Sequence, residues 1–89
     1  MMLFPQFKQR THTRTLFSGE AFVSFVALSG YEAIVRDDVV LLQLENGILE
    51  LRSKRQQVGF RVLVTADTGK AWKGIVVEQR PGITRFVSR

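Results

Sequence analysis

The stretch that most constrains the fold of this chain is Val39-Val40-Leu41-Leu42-Gln43-Leu44-Glu45-Asn46-Gly47-Ile48-Leu49-Glu50-Leu51-Arg52. It reads as a β-hairpin, because Asn-Gly is the pair best suited to the two positive-φ positions of a type I′ turn. Centring a two-residue turn on Asn46-Gly47 sets Leu44 across from Leu49 and Leu42 across from Leu51. Val40, Leu42, Leu44, Leu49 and Leu51 then leave the ribbon on one side, the expected core face. Gln43 meets Glu50 and Leu41 meets Arg52 on the other. A slip of one residue would turn that leucine set outward, so the register is a consequential expectation.

The segments around the hairpin continue the β pattern. Leu16 to Leu28 carries apolar residues at helical spacing (Phe17, Ala21, Phe25, Leu28), but Phe22, Val23, Phe25 and Val26 are strand-favouring types, and a strand is expected. Its apolar residues on both faces imply burial on both sides, at a sandwich centre, at a barrel corner or under a partner. Ser29-Gly30 breaks it, Tyr31 to Val35 reads as a short strand, and Arg36-Asp37-Asp38 as the turn into the hairpin. Beyond the hairpin, Ser53 to Gly59 is a polar loop, and Phe60 to Thr65 alternates with Phe60, Val62 and Val64 on the core side. Ala66-Asp67-Thr68-Gly69 is a turn. A return strand runs from Lys70 to about Gln79, with Gly74 marking a bulge or a close backbone approach. Pro81-Gly82 suits a type II turn that pairs Glu78 with Arg85 and Val77 with Phe86. The sum is an all-β domain, a small antiparallel barrel or sandwich of about six to seven strands over residues 16–89. An extended basic N-terminal arm over residues 1–15 precedes it.

At 89 residues without a cysteine, the chain supports one core and no disulfide or thiolate-metal site, so stability must come from packing or from a partner. The longest apolar-looking uncharged stretch, Ala21 to Tyr31, is about half of the roughly 20 residues a membrane helix needs. The basic residues of the N-terminus follow rather than precede its apolar part, the reverse of a secretory signal, so a cytoplasmic location is expected, in host cytoplasm or virion if the protein is viral. The net charge of +5 is unevenly spread. Residues 1–19 carry +3, residues 20–50 carry −5, and residues 51–89 carry +7. Alternation of this kind suits a subunit that sets an acidic segment against a neighbour's basic one, more than a nucleic-acid binder with one continuous basic face.

No catalytic group, metal site or cofactor is expected. His12 is the only histidine and lies between two threonines, without a partner. Asp37 and Asp38 would point to opposite faces in a strand and be ordinary turn formers in a turn. No phosphate-loop pattern occurs among the glycines. The candidate residues are therefore partner-binding ones: Lys8, Arg10 and Arg14 in the arm, Asp37 and Asp38 as an acidic turn, and Arg52, Lys54 and Arg55 at the polar loop. Arg61, Lys70, Trp72 and Lys73 form a further cluster around the Asp67-Thr68-Gly69 turn. A tryptophan among bases can stack on a nucleobase, although filling a core or an interface is its commoner use.

Three families share features with this sequence. Arg10 and Arg14, with three residues between them, resemble the arginine pair with which PilZ domains grip cyclic di-GMP. That family's Asp-x-Ser-x-x-Gly is missing, since no glycine stands three places after Ser29. The run from Gly47 to Phe86, with Gly69-Lys70-Ala71-Trp72 and Val76-Val77-Glu78 ahead of Pro81-Gly82-Ile83, resembles the strand succession of small tailed-phage head–tail joining proteins. Leu16-Phe17-Ser18-Gly19-Glu20, Leu28-Ser29-Gly30 and Leu44-Glu45-Asn46-Gly47-Ile48-Leu49 resemble the β-sandwich of the rotary ATP synthase epsilon subunit. Here, however, Arg36-Asp37-Asp38 stands where that family has Pro-Gly-His. The last two resemblances imply a non-catalytic subunit that docks through β surfaces into a larger complex, as a homo-oligomer or beside other proteins. A small nucleic-acid-binding barrel is the alternative.

Overall fold

Asn46 (φ 65°) and Gly47 (φ 73°) both adopt positive φ, and the Ile48 N–H donates to the Glu45 carbonyl, which is the type I′ turn expected there. The register is nevertheless one residue off the expected one. The Leu44 N–H, not that of Glu45, donates to the Ile48 carbonyl (2.8 Å), so Glu45 is an extra residue on the incoming strand. Leu41 thus pairs with Leu51, and Leu42 with Glu50. The inward set becomes Val39, Leu41, Leu49 and Leu51, all buried, while Val40 and Leu44 are only half-buried. Leu42 is buried but lies on the opposite side of its strand from Leu41. A bulge of this kind flips every side chain on one side of the turn, a shift that the period-2 pattern cannot register when both phases are apolar.

The computed structural model describes residues 14–88. They form six antiparallel strands: β1 (Arg14–Val26), β2 (Glu32–Gln43), β3 (Ile48–Arg52), β4 (Arg61–Ala66), β5 (Ala71–Arg80) and β6 (Ile83–Ser88). The sheet closes on itself in the order β1-β2-β3-β6-β5-β4, β4 pairing back onto β1, and closure removes free edges along the paired stretches. The expected barrel alternative is the one adopted. The interior is filled by one side of every strand, with Val23, Phe25, Leu41, Leu51, Val64 and Phe86 at its centre.

Several details follow from that closure. The ambiguous segment is strand from Leu16 to Val26, in β1, which begins at Arg14, inside the stretch expected to be arm; Ala27 and Leu28 lie past its end. Arg14 and Thr15 pair with Gln43 and Leu42. The expected turn at Arg36-Asp37-Asp38 is absent, since β2 continues unbroken through it, paired along β1. Gly74 is the close-approach case: a Cβ there would lie 2.0 Å from the Val87 carbonyl oxygen and 2.7 Å from Phe86 Cδ2. Beyond Pro81-Gly82, Glu78 pairs with Arg85 as expected, but a bulge at Val77 makes Val76, not Val77, the partner of Phe86. Val77 is left exposed. Among the described residues no helix is long and apolar enough to cross a membrane.

Candidate functional site

The candidate partner-binding residues separate into four places. Lys8 and Arg10 lie outside the described residues. Asp37, expected in an exposed turn, is buried. Its Oδ2 accepts from Ser53 Oγ (2.7 Å), the Lys54 N–H (2.8 Å) and the Arg55 N–H (3.1 Å), and its Oδ1 accepts from the Asp38 N–H (2.8 Å). Burial pushes the Asp37 carboxyl up, but those donors outweigh it and hold it below the ordinary aspartate value. Asp37 thus meets the basic loop within one chain through a hydroxyl and backbone N–H groups, not through the charges of Lys54 and Arg55. Arg52, Lys54 and Arg55 remain exposed around that turn.

The cluster Arg61, Lys70, Trp72 and Lys73 does not form one patch. Trp72 and Lys73 are neighbours on β5 and point to opposite faces. Trp72 faces inward against the core, its ring centroid 5.8 Å from that of Phe17. With Arg14, Leu16 and Lys70 it lines a recess where the first residues of β1 pass the start of β5. Lys73 and Arg61 stand on the outside of the barrel, Lys73 on β5 directly across from Leu63 and Arg61 on β4 two residues before it.

That outside surface, formed by β2, β1, β4 and β5, carries a set of residues the sequence reading did not single out. Cross-strand pairing lines up Arg36, Phe22, Thr65 and Ala71 in one row, then Ile34, Ser24, Leu63 and Lys73, then Glu32, Val26, Arg61 and Ile75. Phe22 is 48% exposed and Ile34 62%, beside Leu63 and Ile75, both also exposed. A shallow, mostly apolar depression is lined by Phe22, Ser24, Ile34, Leu63 and Thr65. At one end Asp38 pairs across from Glu20, and Arg36 bridges Glu20 (3.0 Å) and Asp67 (3.4 Å) while lying 5.1 Å over the Phe22 ring. Asp38, the other half of the expected acidic turn, therefore does sit on a surface, but on this one. Glu32 accepts from Ser24 Oγ at the other end.

On the opposite side of the barrel Glu50 is 3% exposed. Its carboxylate accepts from Arg52 Nε and Arg85 Nε, both at 2.9 Å, and Arg85 continues to Glu78 (3.2 Å). Burial raises the Glu50 carboxyl, and the two guanidiniums more than reverse that, leaving it below the ordinary glutamate value. This closed network ties β3 to β6 and β5. Among the described residues no cluster of three potential metal ligands occurs. A signal for the apolar face did exist in the sequence: Phe22, Ile34, Leu63 and Ile75 occupy the out-of-phase positions of strands whose in-phase positions are already apolar. Compared with protein-family models, curated proteins and solved structures, the chain matches none.

Proposed function

We propose that the protein is a non-catalytic docking module, a closed barrel that joins a larger protein assembly through the outer face of β2, β1, β4 and β5. The observation that carries this reading is the contiguous exposure of Phe22, Ile34 and Leu63 on a sheet whose other side is already a filled core. Exposed apolar side chains grouped on one face and rimmed by charge characterise contact surfaces, whereas singly scattered ones do not. A ring subunit of the head–tail joining type is one assembly of this kind, supported by the strand succession from Gly47 to Phe86. The test is affinity capture from the protein's own cell extract with the wild-type chain and with Ile34→Asp/Leu63→Asp. The expected result is partner protein held by the first and lost by the second. Equal capture by both overturns the reading.

A second reading has an observation of its own. The recess places two cations, Arg14 and Lys70, beside the indole of Trp72, the pairing of charge and ring that suits a nucleotide or single-stranded nucleic acid. The arginine pair resembling that of PilZ domains contributes Arg14 here. Titration with cyclic di-GMP and with a short oligonucleotide, following Trp72 fluorescence, tests it. Quenching that Lys70→Ala abolishes supports a ligand site, and unchanged fluorescence with both probes removes it.

A further inference from the structure

The outer face of β2, β1, β4 and β5 is graded along β1. Its first charged row from Arg14 holds Glu20 and Asp38, with Asp67 close by, and a single cation, Arg36, serves both Glu20 and Asp67. Phe22 comes next, then Ile34 and Leu63 on either side of Ser24. Lys73 lies across from Leu63, and Arg61 one row beyond. The segment that precedes the described residues, 1–13, joins β1 at Arg14 and is graded in the same order. Followed back from Arg14 it carries Arg10 and Lys8 first, with no acid, and then Phe7, Phe4, Leu3, Met2 and Met1.

We propose that residues 1–13 double back at the start of β1 and lie on this face, Lys8 toward the acidic corner and Met1 to Phe4 on Phe22, Ile34 and Leu63. The chain then covers its own docking surface until a partner displaces the segment. The proposal rests on the docking reading above and gives that site its regulation. Thirteen extended residues span about 43 Å. Rising to a second layer uses about 10 Å of that and leaves about 33 Å, or ten residues along β1. That is the separation of Arg14 from Ser24, so the segment reaches the row of Ile34 and Leu63 and ends there. At the same spacing Lys8 comes level with Phe17, within side-chain reach of Glu20, and Leu3 comes level with Phe22. Attachment at Arg14 also fixes the direction. Along β1 the segment can lie only with its bases toward Glu20 and its apolar end toward Leu63, which keeps Lys8 and Arg10 away from Arg61 and Lys73. The apolar contact is modest in area, but tethering supplies a local concentration of about millimolar order, enough for a weak contact to hold. Because exposed charges orient it, salt loosens it.

The chain has no cysteine, so Met2→Cys gives the full chain one site for a nitroxide label, and broadening of backbone amide signals maps where the label sits. Ser24, Ile34 and Leu63 are expected to broaden more than Glu50, although Glu50 lies nearer the attachment, across Leu42 from Thr15. Added to the labelled chain, Ile34→Asp and Lys8→Glu are each expected to remove that preference, with circular dichroism guarding against misfolding. Labelled chain mixed with isotope-enriched chain lacking the nitroxide is expected to leave the enriched chain sharp. Broadening at Glu50 equal to or above that at Leu63 overturns the proposal. So does a pattern indifferent to both substitutions, or broadening that passes between chains in the mixture. Capture from extract separates this from the docking reading. A chain carrying Phe4→Asp and Lys8→Glu is expected to hold more partner than the wild type, and equal capture by the two overturns the regulation. If the label finds no contact while face-dependent capture persists, the proposal falls and the docking reading stands. If the label finds the contact and neither chain captures protein through the face, the docking reading falls and the segment remains as an internal cover. If neither occurs, both fall.

Discussion

Asp37 shows how much one buried carboxylate can organise. It sits in the middle of β2, yet its oxygens satisfy three backbone N–H groups and one hydroxyl, three of those four donors from the Ser53–Arg55 turn that follows β3. Removing it takes the acceptor from the buried Ser53 hydroxyl and from the part-buried N–H groups of Asp38 and Lys54, while the Arg55 N–H keeps Ser53 Oγ (3.2 Å), at about 1–3 kcal/mol for a buried donor left unpaired. Asp37→Ala is therefore expected to cost about 3 kcal/mol in urea unfolding, and Asp37→Asn less, because one oxygen remains. Asp37 and Glu50 both have carboxyls held below their ordinary values in the folded chain. Their stabilisation is complete above the ordinary carboxylate range, near pH 4, and is lost as pH falls through the depressed folded values. Urea midpoints measured down an acid series are expected to decline there, and Asp37→Asn and Glu50→Gln should each flatten that decline. Gly74 makes a different demand. With a Cβ 2.0 Å from the Val87 carbonyl oxygen, Gly74→Ala cannot be absorbed by a side-chain rotation. A loss at or above about 3 kcal/mol is expected, the upper end for overpacking, read from the same melts.

Among the elements, the β2–β3 hairpin carries the sharpest discrimination. Its turn is the one the sequence announces, but the extra residue Glu45 moves the ladder by one, so Leu41 rather than Leu44 faces the barrel interior. Leu41→Ala is expected to cost about 2–5 kcal/mol as a buried truncation, and Leu44→Ala clearly less. Equal costs from denaturant melts of the two variants would restore the unbulged register. The β1–β2 hairpin is the longest paired unit, its register running from Arg14–Gln43 to Val26–Glu32 with one shift at Leu16. Arg36-Asp37-Asp38 stays extended inside it because Phe22, Ala21 and Glu20 pair directly across. Cross-strand hydrogen bonding along such a ladder outweighs the local turn preference of two aspartates.

For the whole molecule, closure between β1 and β4 and between β3 and β6 joins segments far apart in sequence. Neither hairpin buries both of its faces alone, so the chain is expected to unfold as one cooperative unit. Trp72 on β5 lies against Phe17 on β1, and its fluorescence therefore reports closure, while far-ultraviolet circular dichroism reports the strands. The two urea transitions are expected to coincide, and separated midpoints would show a barrel that opens before its hairpins melt. Non-local pairing of this kind also predicts refolding on the scale of about milliseconds to seconds. Stopped-flow fluorescence of Trp72 measures it.

By itself the sequence determined the class of fold, the strand content of the ambiguous segment from Leu16 to Val26, the turns at Ser29-Gly30, Asn46-Gly47, Asp67-Thr68-Gly69 and Pro81-Gly82, the final strand from Ile83 to Ser88, and the pairing of Glu78 with Arg85. These depend on period-2 patterning and on residues that tolerate particular turn geometry, both of which act locally. Tertiary structure alone decided the bulges at Glu45 and Val77 and hence which phase of each apolar strand faces inward, because a strand apolar on both sides gives the pattern no preference. It alone decided that Asp37 turns inward to the Ser53 turn, since the donors that stabilise it come from a segment sixteen to eighteen residues away. The separation of Lys73 from Trp72 was available from strand alternation, but their distinct neighbourhoods were not. Phe22, Ile34, Leu63, Arg61 and Lys73 come from three hairpin arms and a return strand, and they become one surface only when β4 pairs with β1 and closes the barrel.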